Sequence, residues 1–99
     1  MASSPLEALN ANKPALLHVL AAYGVTNPRV FGSVSRGDFD SRSDIDLLVS
    51  KTRPMSYATI ARLRRDVRDA VGWPVDLVFE TALKPGLREM IQSELQPLV

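Results

Sequence analysis

Two aspartates interrupt an otherwise apolar run, and this feature limits most strongly what the chain can fold into. Asp44 and Asp46 stand on either side of Ile45, and apolar residues at 47–49 continue the run. Such a run predicts a β-strand, and the period-two alternation of a strand directs both carboxylates to one face. Two carboxylates at this range repel each other, and burial adds a further cost unless a cation neutralises them. The pair therefore predicts a divalent metal site on a strand.

A third carboxylate repeats this situation in another strand-like run. Asp76 lies inside the run 75–79, so a neighbouring strand would bring one more oxygen ligand to the same place. Taken alone, Asp76 fits a cap or an ion-pair partner equally well. The chain has no cysteine, and its one histidine, His18, lies in a leucine-rich segment that favours packing or a surface position. Three carboxylates without a thiolate predict the hard cations Mg²⁺ or Mn²⁺.

The order of apolar patterns predicts an α/β fold. The 99 residues, with 45% hydrophobic content, suit one globular domain over 1–99. We predict a small mixed β-sheet with helices packed mainly on one face. The predicted helices are a short one from Pro5, a second from Asn12–Pro14 (or one kinked helix over both), Ser56–Gly72 and Leu83–Leu95; the predicted strands are Val30–Phe31, Ile45–Val49 and Val75–Phe79.

The last helical pattern places four apolar residues on one face: Leu87, Met90, Ile91 and Leu95. Together with the terminal Pro97–Val99, they are most simply core residues. The alternative is an apolar surface that docks on another subunit, because little chain follows to cover it. A domain of this size buries only about 60–70% of its extended-chain surface, so a homo-oligomer is compatible with the sequence.

A glycine and a serine follow the first predicted strand. Gly32 would let a phosphate approach the backbone closely, and Ser33 can donate its hydroxyl to a phosphate oxygen at the start of a short helix. Arg36, one turn later, either adds positive charge or braces the turn. A Gly-Ser dipeptide alone carries little information, so its value lies in its spacing from the carboxylates.

That spacing resembles a known family. Gly32-Ser33, ten intervening residues and then Asp44-Ile45-Asp46 are similar to the Gly-Ser…Asp-x-Asp signature of the polymerase-beta-type nucleotidyltransferase superfamily. The surrounding segments Val30–Gly37 and Ser43–Val49 resemble especially its minimal branch. The resemblance spans about residues 29–80, extends loosely over nearly the whole chain, and shows no departure in the central motif.

The resemblance implies a site and a reaction. Asp44 and Asp46 would be metal ligands, with Asp76 as the third carboxylate, while Gly32 and Ser33 would grip a nucleoside triphosphate. Arg36 and Ser43 are further candidates for nucleotide binding. The family uses Mg²⁺ or Mn²⁺ and transfers a nucleoside monophosphate, here AMP from ATP, to a hydroxyl group. Its minimal members pair with a HEPN-type toxin protein and act as antitoxins by modifying a toxin tyrosine.

Two other functions stay open at this point. One is transfer of a nucleotide to a small molecule such as an aminoglycoside, against which stands the lack of a second, substrate-holding domain. The other is a non-catalytic antitoxin that neutralises its partner by occlusion and keeps the carboxylates only for nucleotide or metal binding. The presence of all three carboxylates favours the enzyme.

Net charge and the composition of the N-terminal segment limit the kinds of partner that we expect. A formal net charge of +1 lacks the basic excess of a dedicated nucleic-acid binder. Asp66 and Asp69 stand among the four arginines of the segment 62–69, so we predict a solvated or partner-facing helix and no nucleic-acid partner. No run approaches the roughly 20 apolar residues of a membrane span, and Met1–Pro5 does not resemble a signal peptide. We therefore expect a cytoplasmic protein without a membrane partner.

Overall fold

The computed structural model describes residues 2–98, which form a four-stranded sheet and five α-helices. The helices are α1 (Pro5–Ala11), α2 (Lys13–Ala22), α3 (Gly32–Arg36), α4 (Tyr57–Val71) and α5 (Pro85–Gln92). The strands are β1 (Val25–Phe31), β2 (Ile45–Lys51), β3 (Val75–Phe79) and β4 (Gln96–Pro97), and a 3₁₀ turn, Glu80–Ala82, follows β3. None of the helices within residues 2–98 has both the length and the apolar content that a membrane crossing requires.

The sheet is mixed, as predicted. Its strand order is β3-β2-β1-β4, with β2 and β3 parallel and the other two pairs antiparallel. The parallel pair is connected through α4, which begins with a Ser56 cap on the Thr59 N–H and ends at Gly72 in the left-handed region. These bounds confirm the helix predicted from Ser56 to Gly72, and they follow from the cap at one end and the positive φ at the other.

The main core lies on one face of the sheet. Alternate residues of β2 point into it, namely Ile45, Leu47 and Val49, and each is fully buried. Helix α4 contributes Leu63 and Val67 to the same cluster, and α1 and α2 complete it. The intervening residues of β2 face the opposite side, where only part of the sheet is covered. This uneven coverage leaves one end of the open face for the acidic residues.

The first helical region consists of two helices rather than one kinked helix. Asn12 separates α1 from α2, and its side-chain amide donates to the Ala8 carbonyl and to the Val71 carbonyl, both at 2.9 Å. One side chain thus ties the joint between the first two helices to the end of α4.

Strand β1 is longer than predicted, and a fourth strand was not predicted. Residues Thr26–Pro28, which precede the predicted strand Val30–Phe31, also belong to β1, whose register shifts between Thr26 and Arg29 around the positive φ of Asn27 (53°). The bulge lets a turn-like sequence stay within a strand. Strand β4 pairs with β1 through Pro97 and Gln96.

The prediction for the last helix was wrong in part. Helix α5 covers only Pro85–Gln92, and Ile91 is its single buried residue. Leu87 is 45% exposed and Met90 is 74% exposed, so neither belongs to the core. The sheet is too small to cover a whole apolar helix face, which is the physical reason for the error. Leu98 is buried, whereas Val99 lies outside the described residues.

Candidate active site

The parallel pairing of β2 and β3 brings two of the three predicted carboxylates together. Asp46 and Asp76 are direct partners in the register, between the pair Ile45–Val75, of which Ile45 is buried and Val75 partly buried, and the buried pair Leu47–Leu77. Partners in register point to the same side of a sheet, and both aspartates therefore lie on the face opposite the core. Phe31 of β1 is the partner of Asp46 on its other side.

Asp44 lies just before β2 and not within it. The strand begins at Ile45, whose N–H donates to the Pro74 carbonyl at 3.0 Å and joins the starts of β2 and β3. Asp44 and Asp76 are exposed, while Asp46 is half-buried. The three carboxylates thus come from the beginnings of two adjacent strands, with Asp46 as the innermost.

The pKa of Asp46 indicates that the negative charge of the three carboxylates is not balanced by nearby positive groups. Burial, then the charge of Asp76, then that of Asp44 raise the pKa of Asp46 to about 6. Arg36 lowers the pKa of Asp46 and Glu94 raises it, both as lesser causes. A half-buried carboxylate that is pushed toward its neutral form by two others is a place where a cation binds favourably.

The donor set fits a hard cation, although the side chains do not form a closed cage. All three groups offer oxygen, which Mg²⁺ and Mn²⁺ prefer. Across residues 2–98, no three His, Cys, Asp or Glu side chains stand close enough to hold a cation in their present positions. The two exposed aspartates can change rotamer freely, so the metal site stays a prediction that the local chemistry supports.

Gly32 lies directly against Asp46. Its φ is +74°, and a Cβ built on it would be 2.1 Å from the Oδ2 atom of Asp46. Real Cβ atoms do not approach other atoms so closely, so only glycine allows the carboxylate to rest on the backbone here. The Gly-Ser turn and the acidic pair are therefore one structural unit. Ser33, the next residue, is half-buried in the first turn of α3.

Arg36 and Ser43 have structural partners. Arg36 pairs with Asp38 at 3.1 Å and with Glu94 at 3.2 Å. The Ser43 hydroxyl accepts from the Asp40 N–H at 3.0 Å within the loop before β2. The bracing role considered for Arg36 is thus what its contacts display, while nucleotide binding by either residue stays a prediction.

Sequence reasoning missed one residue of this region, Glu94. Its Oε1 atom accepts from the Gly32 N–H at 2.8 Å, although the two residues are 62 positions apart. It follows α5 directly, in a segment whose composition resembles that of any polar helix end. No spacing or motif distinguishes Glu94, and only the folded chain brings it to the Gly-Ser turn.

Comparison with known proteins identifies the family of the chain. The nucleotidyltransferase domain family matches residues 17–98. The protein adenylyltransferase MntA of Thermococcus cleftensis is 33% identical over 73 residues, which cover 74% of each chain. A solved structure provisionally named a minimal nucleotidyltransferase is 38% identical, with a TM-score of 0.82 over 98% of this chain and 99% of that one.

A further solved structure shows the same fold in a complex. It contains a tri-AMPylated HEPN toxin of Shewanella oneidensis with an MNT antitoxin, and the similarity has a TM-score of 0.68 at 20% identity over 91% of this chain and 71% of that one. The family match and the similarity to the minimal nucleotidyltransferase structure place the chain in the nucleotidyltransferase class. This chain belongs to the nucleotidyltransferase domain family, in its minimal branch, and is an enzyme of that class.

Proposed function

We propose that this chain transfers AMP from ATP to a tyrosine hydroxyl of a HEPN-type toxin and thereby acts as its antitoxin. The observation that carries the proposal is the pairing of Asp46 with Asp76 on the open face, beside Gly32, where a Cβ would overlap the Asp46 carboxylate. The adenylyltransferase relative and the toxin complex described above support the choice of nucleotide and partner.

The proposed reaction is an in-line displacement at the α-phosphorus. The tyrosine oxygen forms a bond to that phosphorus, the bond to the bridging oxygen breaks, and pyrophosphate leaves. Asp44, Asp46 and Asp76 would hold Mg²⁺, which supplies positive charge to the phosphate oxygens when it is bound. Gly32, which has no side chain, would let the triphosphate approach the turn closely, and Ser33 would orient it through its hydroxyl.

Asp76 is suited to receive the proton of the acceptor. It is exposed on the edge strand β3, whereas Asp46 is half-buried behind it. An acceptor hydroxyl arriving from solvent therefore has access to Asp76 more readily than to Asp46, and a carboxylate at hydrogen-bond distance can take up the hydroxyl proton. Asp46, at the centre, would fix the cation and not the acceptor.

The test is a transfer assay with labelled ATP, Mg²⁺ and a HEPN-type partner. We expect the wild-type chain to label a tyrosine of the partner, and Asp46→Asn to abolish labelling while the fold remains intact by circular dichroism. Asp69→Asn is the matched control, because Asp69 is an exposed aspartate of α4, away from the strands that carry the site. A homo-oligomer stays a prediction, and sedimentation of the same samples measures it.

Each alternative has its own outcome in this assay. A partner that is neutralised without being labelled contradicts the enzymatic antitoxin and favours occlusion. Labelling of an aminoglycoside in place of the partner contradicts the protein acceptor but not the nucleotidyltransferase. Calorimetry tests the cation separately, since triphosphate binding that Mg²⁺ does not strengthen contradicts the metal assignment.

A further inference from the structure

Glu94 is bound to the β1–α3 turn at three points. Its Oε1 atom accepts from the Gly32 N–H at 2.8 Å, and its Oε2 atom accepts from the Arg36 guanidinium at 3.2 Å. Its backbone carbonyl accepts from the Ser35 hydroxyl. The Glu94 side chain is only 16% exposed, so two of these contacts are charge-assisted hydrogen bonds in a partly desolvated place.

The segment that carries Glu94 is itself fixed to the sheet. Residues Gln96 and Pro97 pair with β1, and the Leu98 N–H donates to the Pro28 carbonyl at 3.0 Å. The Gln96 side-chain amide also donates to the Ser35 carbonyl at 3.4 Å. Strand β1 leads directly into the Gly-Ser turn. The segment after Glu94 pairs with β1, and Glu94 itself binds the turn at the end of that strand.

Gly32 is consequently held from two sides. The Asp46 carboxylate fills the space where a Cβ would be, and the Glu94 carboxylate takes the backbone N–H. A helix of one turn, such as α3, has little stability of its own, because its N–H groups lack partners within the helix. An external acceptor at Gly32 and a counter-charge at Arg36 therefore fix both ends of this turn.

We propose that Glu94 is a positioning residue for nucleotide transfer: it holds the segment Gly32–Arg36 so that Ser33 stays aligned with Asp46. This inference rests on the proposed function, in which Ser33 orients the triphosphate and Gly32 lets it approach the turn. In this proposal Glu94 acts through its contacts with Gly32 and Arg36 and not through contact with substrate or cation. Loss of its carboxylate lets the turn move, and a shift of about 1 Å at a substrate-positioning element reduces turnover at low substrate markedly.

The experiment compares Glu94→Ala with Glu89→Ala in the transfer assay, across a range of ATP concentrations. Glu89 is an exposed glutamate on α5, five positions earlier, and is the matched control. For Glu94→Ala we expect KM for ATP to rise about tenfold, with kcat reduced less than about threefold, because the change affects triphosphate placement more than the displacement. Glu89→Ala should match the wild type.

A second variant and a second measurement keep the test decisive. Glu94→Gln retains an acceptor for the Gly32 N–H but loses the charge opposite Arg36, so its KM should rise by about threefold. Amide hydrogen exchange at Gly32 should accelerate in Glu94→Ala and not in Glu89→Ala. If the alanine variant does not fold, Glu94→Gln carries the test alone, and a KM equal to that of the wild type then overturns the inference.

The outcomes separate this inference from the proposed function. A wild-type chain that transfers AMP, together with an unchanged or lowered KM in a folded Glu94→Ala, overturns the role of Glu94 only. A lowered KM would mean that the carboxylate competes with the triphosphate instead of preparing its site. A wild-type chain that neither binds Mg²⁺–ATP nor labels the partner refutes the proposed function, and this inference with it.

Discussion

Replacing Gly32 by alanine tests whether its close contact with the Asp46 carboxylate matters for activity. The loss of stability from backbone strain can be measured separately. The φ of Gly32 is +74°, a conformation that disfavours any residue with a Cβ by about 1–2 kcal/mol. The new Cβ would also lie 2.1 Å from the Asp46 Oδ2 atom, 3.0 Å from its Cγ and 3.3 Å from its Cβ. The worst overlap thus involves the far end of the aspartate side chain and not the backbone.

This geometry determines whether stability or transfer activity is reduced more. The Asp46 carboxylate can relieve the overlap by rotating away by about 1 Å, at a torsional cost of about 1 kcal/mol. The total loss in the free energy of unfolding is then about 2–3 kcal/mol. The same movement displaces the central predicted metal ligand, and a misplacement of about 1 Å in a catalytic group reduces activity about 100-fold or more. We therefore expect activity to fall far more than stability.

Gly72→Ala is the matched control for strain alone. Gly72 has a φ of +72°, and a Cβ there would meet nothing within 4 Å. It should lose only the strain energy of about 1–2 kcal/mol and keep full transfer activity. Urea unfolding and the AMP-transfer assay measure both variants under the same conditions. Equal losses of stability together with near wild-type activity in Gly32→Ala would refute the claim that the contact with Asp46 fixes the site.

Three further perturbations test the electrostatics and the packing. Because the pKa of Asp46 is raised from 3.8 to about 6, the folded state binds more protons than the unfolded chain between these values, and stability falls as pH rises through them. Without metal, Asp46→Asn should therefore be more stable than the wild type at about pH 7.5, by about 1 kcal/mol after allowance for partial solvation. At about pH 4 the two proteins should be equally stable. A loss of stability in the variant at the higher pH, measured by thermal unfolding, contradicts this. Ile91→Ala, at a site 7% exposed, should lose about 2–3 kcal/mol in urea unfolding, whereas Met90→Ala, 74% exposed, should change by less than about 0.5 kcal/mol. Asn12→Ala removes both donations of that amide, including the one to the Val71 carbonyl, so we expect a loss of about 1–2 kcal/mol, and an unchanged melting temperature would contradict it.

The fold was predictable where local signals agree with tertiary packing. Helix α4 has a serine cap, a regular apolar stripe and a terminal glycine, and its bounds were confirmed. Strand β3 stands between Trp73-Pro74 and a turn, and its bounds were confirmed too. The two-residue strand β4 has no such signal, because it exists only through pairing with β1. The exposure of Met90 depends on how far the sheet extends, and the apolar pattern of one helix gives no information about the size of the sheet.

In the candidate site, too, the features with a local sequence signal were predictable and those that depend on tertiary contacts were not. Strand alternation and the Asp-x-Asp spacing are local properties, so the acidic positions could be identified from the sequence. The direct register of Asp46 with Asp76 depends on the crossover through α4 and became visible only in the sheet. Glu94 joins Gly32 across 62 positions, and a contact at that separation leaves no local pattern.

The four acidic residues around the Gly-Ser turn have two different electrostatic environments. Glu94 faces Arg36 and a backbone N–H, so its charge is compensated within the fold. Asp46 faces Asp76 and Asp44, whose charges raise its pKa, while Arg36 lowers it and Glu94 raises it as lesser causes. A compensated carboxylate serves as a fixed anchor, whereas an uncompensated group favours a cation from solvent. Cation binding should therefore stabilise the folded chain through the aspartates and leave the Glu94 contacts intact. Glu94 and Arg36 affect Asp46 only as lesser electrostatic causes, so we expect variants at Glu94 and at Asp46 to alter different kinetic constants.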